Sequence, residues 1–112
     1  ANPAMRVLLF FLAAALFAGA SANVLPLTSW NFHQTVDGTR HVLVSFSADW
    51  CSHCQKLKPH YMRVAKAFAD DDRAGLTVAT VDAGAHQQLN EAFGIEGLPT
   101  ILLFMAGSTK PA

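Results

Sequence analysis

The stretch Ser45-Phe46-Ser47-Ala48-Asp49-Trp50-Cys51-Ser52-His53-Cys54-Gln55-Lys56-Leu57-Lys58-Pro59 decides how this chain folds. It starts inside an apolar run, Val42-Leu43-Val44-Ser45-Phe46, which reads as a strand, and it turns at Ala48-Asp49. From Ser52 to about Ala69 the pattern becomes helical. Leu57, Tyr61, Val64, Ala65 and Phe68 recur there at three- and four-residue spacing and form the expected buried stripe. The two cysteines therefore fall at a helix N-terminus.

That placement has chemical consequences. The first turn of a helix carries unpaired N–H groups and about half a positive charge, which favours thiolate over thiol. Cys51 comes first and is expected to be the more exposed. Cys54 follows on the same face of the first turn, close enough to form a disulfide with it. Such a dithiol can exchange with a disulfide elsewhere: Cys51 forms the mixed disulfide and Cys54 resolves it. His53, when protonated, adds positive charge beside Cys51 and stabilises the reduced form. Ser52 is small and leaves the sulfur accessible.

Two other readings of the Cys-x-x-Cys remain beside this one. Half of a zinc site would need a second pair of ligands in tetrahedral array, but the chain has only these two cysteines and its other histidines are scattered. A purely structural disulfide would close so small a loop that it restricts the unfolded chain only modestly.

Trp50-Cys51-Ser52-His53-Cys54-Gln55-Lys56-Leu57-Lys58-Pro59 closely resembles the active-site signature of the protein disulfide isomerases, usually Trp-Cys-Gly-His-Cys-Lys-x-Leu-x-Pro, within the thioredoxin superfamily. The resemblance runs from about Val24 to Lys110. It implies a thioredoxin-like α/β fold, a mixed sheet flanked by helices. Catalytic roles would fall to Cys51, Cys54 and His53, with Trp50 shaping the site. It also implies that Gly97-Leu98-Pro99-Thr100 is a cis-proline loop packed against the cysteines. Leu98 and Pro99 would then face substrate, with Leu98 offering backbone groups to an extended strand. From spacing alone, Pro99 marks only the start of a strand.

Composition bounds the rest. The chain has 112 residues, enough for one small domain. Eight basic and eight acidic side chains cancel, so nothing in the charge points to nucleic acid. Met5-Arg6 opens an apolar run from Val7 to Ala18, followed by Gly19-Ala20-Ser21-Ala22. This reads as a secretory signal peptide over 5–22, cleaved after Ala22, with 1–4 a leftover upstream of Met5. The run is shorter than the roughly 20 apolar residues of a spanning helix, so no membrane association is expected after cleavage. The expected domain is 23–112.

Taken in order, Val24-Leu25-Pro26-Leu27 reads as an edge strand, where Pro26 is tolerated. Thr28 or Ser29 would cap a short helix from Trp30 to about Val36, ended by Asp37-Gly38, with Trp30, Phe32 and His33 as packing residues. His41 to Ser47 is expected to be the central strand, buried on both faces. Pro59 inside the long helix removes one backbone hydrogen bond and should kink it. Lys56, Lys58, Arg63 and Lys66 form its wet face, and Asp70-Asp71-Asp72 its solvated end. Leu76 to Asp82 is a strand, Gln87 to Phe93 a short helix closed by Gly94, and Ile101 to Met105 the last strand.

The sequence departs from the family pattern in three places. The buried acid usual six residues before the first cysteine is Ser45, and a hydroxyl is no general base near neutral pH; slow release of substrate is the expected result. Asp49 is nearer in sequence but is expected to face solvent. Ser52 replaces the usual glycine. The sequence also stops at Pro111-Ala112, where the resemblance implies a further strand and a final helix, so an exposed sheet edge and an uncovered apolar face are expected of a piece of a longer chain.

The resemblance implies thiol–disulfide exchange on secretory-pathway proteins in the endoplasmic reticulum lumen, or on secreted ones. Its partners would be cysteine-containing clients and a redox partner, glutathione or an oxidase. No metal, nucleotide or organic cofactor is implied. The alternative is a client-binding, chaperone-like module with little catalysis.

Overall fold

The computed structural model describes residues 23–71 and 73–112. The expected leftover 1–4 and signal peptide 5–22 lie outside the described residues. Among those described, the elements in chain order are β1 (Leu25–Leu27), α1 (Phe32–Thr35), β2 (His41–Ser47), α2 (Ser52–Ala69), β3 (Leu76–Asp82), α3 (Gln87–Ala92) and β4 (Thr100–Phe104).

The strands form one mixed sheet in the order β1-β3-β2-β4. β1 and β2 both run parallel to β3, and β4 runs antiparallel to β2. Val42, Val44 and Phe46 alternate with Leu43 and Ser45 along β2, so each set goes to one face of the sheet. The first face carries the main core. Leu27, Val42, Val44, Phe46, Ala79, Val81 and Phe104 meet Phe32 and Val36 from the α1 segment and Leu89 from α3. Phe32, Phe93 and Phe104 pack there edge to face or tilted, with centroids 5.1–5.7 Å apart.

On the second face, α2 lays Tyr61, Ala65 and Leu57 over Val78, Leu76 and Leu43. The Tyr61 hydroxyl donates to the carbonyl oxygens of Ala79 (2.6 Å) and Leu43 (3.2 Å), pinning the helix to two strands at once. Burial raises the Tyr61 phenol far above the usual tyrosine range. Pro59 is accommodated within α2, and Lys56, Lys58, Arg63 and Lys66 are exposed as expected.

Three expectations need correction. The first short helix begins at Phe32, not Trp30, and Asn31 holds its N-cap position without a side-chain cap bond, while the Thr28 hydroxyl accepts the Trp30 and Asn31 N–H groups in the turn just ahead of it. Thr28 and Asn31 first exchange side-chain and backbone hydrogen bonds, closing a turn that holds 28–31 out of the helix. Within that turn Trp30 is 89 % exposed instead of packed, and His33 is also exposed, touching Phe32 edge-on. The third correction concerns α2, where Val64 and Phe68 are exposed rather than buried. The helix lies over β3, with Val24 beside its packed stripe, and its opposite flank stays clear of the sheet.

The same placement leaves β4 open. Ile101 and Leu103 stand in register with Ser45 and Leu43, on the face that α2 covers only in part, and both are exposed together with Met105. After β4 the chain turns back, and the Ala112 N–H donates to the Leu103 carbonyl at 2.8 Å.

Candidate functional site

β2 delivers the chain to the site. After Ser47, Ala48 accepts a hydrogen bond from the Cys51 N–H at 3.1 Å, closing the turn that holds Asp49 and Trp50. The Gln55 side chain reaches back to the Asp49 carbonyl at 2.6 Å and fastens this turn to α2. Cys51 is the N-cap of α2, with extended backbone, and its Sγ accepts the Cys54 N–H at 3.2 Å. A capping interaction that serine or aspartate oxygens commonly make is here made by sulfur. Negative charge on that sulfur strengthens it, because the donor is one of the unpaired N–H groups of the first turn.

Both cysteines are buried to almost the same degree, Cys51 at 8 % and Cys54 at 6 % exposure. The expected difference in exposure is therefore small; the turn at Ala48 and the packing of Leu98 cover both. Ala48, Cys51 and Cys54 form a small apolar cluster with Leu98 against it. Leu98 also touches the main core, so the loop before β4 is held from below while it contacts the cysteines. The Leu98–Pro99 peptide bond is cis, and the Thr100 hydroxyl donates to the Gly97 carbonyl across the turn.

The structure thus brings Cys51, Cys54 and Leu98 together, with Pro99 next in the same loop. Trp50 and His53 stand outward. Trp50 is 76 % exposed, with its Nε1 beside Gly84, where even a methyl group would come within 3.8 Å. His53 is exposed in the first turn of α2. Asp49 is exposed as expected.

Sequence reading missed the polar floor beside Cys54. Ser45 pairs with Thr80 and Ser47 with Asp82 across β2 and β3, placing four polar side chains on one sheet face near the first turn of α2. The Thr80 hydroxyl donates to the Ser45 carbonyl at 3.1 Å. A cavity of about 520 Å³ opens there, lined at its polar end by these four residues with Asp49, Lys58 and His86, and bordered by Cys54 and Tyr61. Polar residues at alternate positions near the ends of both strands were the available signal. No group of three or more His, Cys, Asp or Glu side chains that could hold a metal ion occurs among the described residues.

Comparison with known proteins agrees with this fold. The family model described as Thioredoxin matches residues 23–112. Protein disulfide-isomerase A6 of Mesocricetus auratus is 41 % identical over 103 residues, covering 91 % of this chain and 23 % of the relative. Protein disulfide-isomerase 1 of Caenorhabditis elegans is 42 % identical over 87 residues, covering 78 % and 18 % respectively. The chain thus spans less than a quarter of these relatives' length. Among solved structures, the first thioredoxin domain of mouse protein disulfide-isomerase A4 superposes with a TM-score of 0.69 at 34 % identity, covering 77 % of this chain and 61 % of that one. Plasmodium falciparum thioredoxin shares the fold with a TM-score of 0.68 at 23 % identity, over 80 % of this chain and 81 % of that one. The chain belongs to the thioredoxin family, and its relatives there include protein disulfide isomerases.

Proposed function

We propose that this domain is a thiol–disulfide oxidoreductase that forms, reduces or rearranges disulfides in secretory-pathway proteins through Cys51 and Cys54. The observation that carries the reading is Cys51 at the N-cap of an 18-residue helix, its sulfur accepting the Cys54 N–H at 3.2 Å. In the reducing direction the Cys51 thiolate attacks one sulfur of a client disulfide. A Cys51–client bond forms and the other client sulfur leaves as thiolate. Cys54 then attacks Cys51, closing the Cys51–Cys54 disulfide and releasing the first client sulfur. Oxidation of a client dithiol is the reverse.

His53 tunes this couple by its charge, and Trp50 shapes the approach from solvent. Leu98 and Pro99 supply the platform against which an extended client segment lies. The clients are cysteine-containing proteins, and glutathione or an oxidase resets the pair. The names of the relatives and the apolar run from Val7 to Ala18 support the endoplasmic reticulum lumen as the site of action, or secretion as the alternative.

The test is the reduction potential of the Cys51–Cys54 pair, measured by equilibration in glutathione buffers. A value of roughly −180 to −210 mV, the poise of the endoplasmic reticulum, is expected; one below about −300 mV marks a locked structural disulfide and overturns the proposal. A Cys51→Ser, Cys54→Ser double variant separates the enzyme from a client-binding module. Turnover should vanish in it, and any that survives contradicts the assignment.

A further inference from the structure

The resolving half of the exchange requires Cys54 as a thiolate, since the thiolate is the attacking species. Cys54 is 6 % exposed and packs with Ala48, Cys51 and Leu98, surroundings that disfavour charge. A proton released there needs an acceptor. Ser45 is buried in the sheet beside the same cavity, but its hydroxyl is no base at neutral pH.

Besides Cys54 itself, the cavity offers five titratable side chains: Asp49, Lys58, Tyr61, Asp82 and His86. Lys58 as a cation has no acceptor. The Tyr61 hydroxyl is committed as a donor to two carbonyls, and burial keeps it protonated. His86 directs Nδ1 at the Ser29 N–H (3.4 Å) and hydroxyl (3.3 Å); in the neutral ring its proton then sits on Nε2, leaving no free lone pair. Asp49 belongs to the turn beyond the sheet. Asp82 is different: it stands in register with Ser47, next to the Ser45–Thr80 pair, on the same face of the sheet. Its Oδ1 accepts the Gly84 N–H at 3.0 Å, which orients the carboxylate.

We propose that Asp82 is the proton acceptor for Cys54, reached through water in the cavity among the hydroxyls of Ser45, Ser47 and Thr80. This rests on the exchange reading above. The cavity, at about 520 Å³, is large against the roughly 30 Å³ share of one water, and its polar wall supplies the partners such waters need. The step balances. The Cys54 proton passes through water to the Asp82 carboxylate, and the sulfur electron pair forms the Cys51–Cys54 bond. The bond from Cys51 to the client sulfur breaks, and that sulfur leaves as thiolate. The client disulfide is reduced and the protein dithiol oxidised. Asp82 acts on Cys54 without touching substrate.

The experiment mixes the reduced full chain with oxidised glutathione, quenches with acid at intervals, and follows the Cys51–glutathione adduct by mass. Asp82→Asn keeps an oxygen for the Gly84 N–H but removes the base. In the variant the adduct should form at the wild-type rate and decay about a hundredfold more slowly at pH 7, the lower end of the range for general base catalysis. Its decay should also gain about tenfold per pH unit, as expected for attack by free thiolate, whereas the wild-type rate should stay flat through the neutral range. Decay at the wild-type rate with an unchanged pH profile overturns the assignment. So does equal slowing of formation and decay, which would mark a displaced turn. If wild type forms no adduct at all, the exchange reading itself fails, and Asp82 loses its role with it.

Discussion

Replacing Tyr61 by Phe tests how α2, the helix carrying Cys54, is fastened to the sheet. The ring stays and only the hydroxyl is lost, so packing against Val78 and Ala65 is retained. The single hydroxyl hydrogen, shared between a short contact to Ala79 and a longer one to Leu43, disappears. At roughly 0.5–1.5 kcal/mol net for a hydrogen bond, and with two carbonyls losing a partner, the loss should lie at the upper end, about 1.5 kcal/mol. That is about a twelvefold change in the folding constant, or roughly 6–12 °C in melting temperature for a domain of this size. Alkaline pH supplies a second arm. Burial holds the folded-state phenol protonated well above its unfolded range, so the contribution is fully present below about pH 10 and is lost as pH rises beyond it. There the unfolded chain releases a proton that the folded one keeps, and stability falls by at most about 1.4 kcal/mol per pH unit. The Phe variant lacks this dependence. The difference between the two proteins should therefore shrink above pH 10 and approach zero about one unit higher, all other groups cancelling. Urea denaturation of both chains at pH 7, 9, 10 and 11 measures it. A difference below about 0.3 kcal/mol at pH 7, or one that does not narrow with pH, would refute the reasoning.

Other outcomes follow from the same structure. Phe32→Ala removes a fully buried ring that meets Phe93 and Phe104, and should cost about 3–5 kcal/mol by denaturant titration, leaving the domain marginal. Gly94 closes α3 at φ +63° with open space around its Cα, so Gly94→Ala should cost only the left-handed backbone term, about 1 kcal/mol. Trp50→Ala removes a side chain that is mostly in solvent and should change stability by less than about 0.5 kcal/mol; a larger loss in chemical denaturation would mean that its contact beside Gly84 is structural.

The parts of the fold that were legible in the sequence are those set by local pattern. β2 and β3 were readable because apolar runs flanked by polar turns leave little choice of register. α2 was readable at both ends because Cys51 and Asp70 bound a continuous helical repeat. The cysteine pair and the loop at Leu98-Pro99 were visible through a signature carried by consecutive residues. What stayed hidden depended on partners distant in sequence. Which flank of α2 is buried is decided by its seat over β3, so Val64 and Phe68 were assigned inward from periodicity alone. The fate of Trp30 turned on reciprocal bonds between Thr28 and Asn31 that compete with the first helical turn. The polar floor is assembled from Ser45 and Ser47 of one strand with Thr80 and Asp82 of another, and neither pair is a motif by itself.

The topology explains why these distant pieces meet. Leu27, Phe46 and Val81 lie at one level of the sheet through their pairing across β1, β3 and β2. The three strands are parallel, so the segments that follow them all emerge at the same end: the 28–31 turn, the Cys51 turn, and the loop from Ala83 to His86. The carboxyl ends of parallel strands are where open α/β sheets gather ligands, because nothing covers the crevice there. β4 adds what a fourth parallel strand could not. It runs antiparallel and starts opposite Phe46 at Thr100, so the loop before it, not the one after it, arrives at that same end. Leu98 is thereby set against Cys51 and Cys54 by strand direction and register together. A slip of β4 by one residue would turn Phe104 and Leu102 out of the core and draw Leu98 away from the cysteines. The packing of Phe104 against Phe32 and Phe93 is thus also what positions the loop at the dithiol.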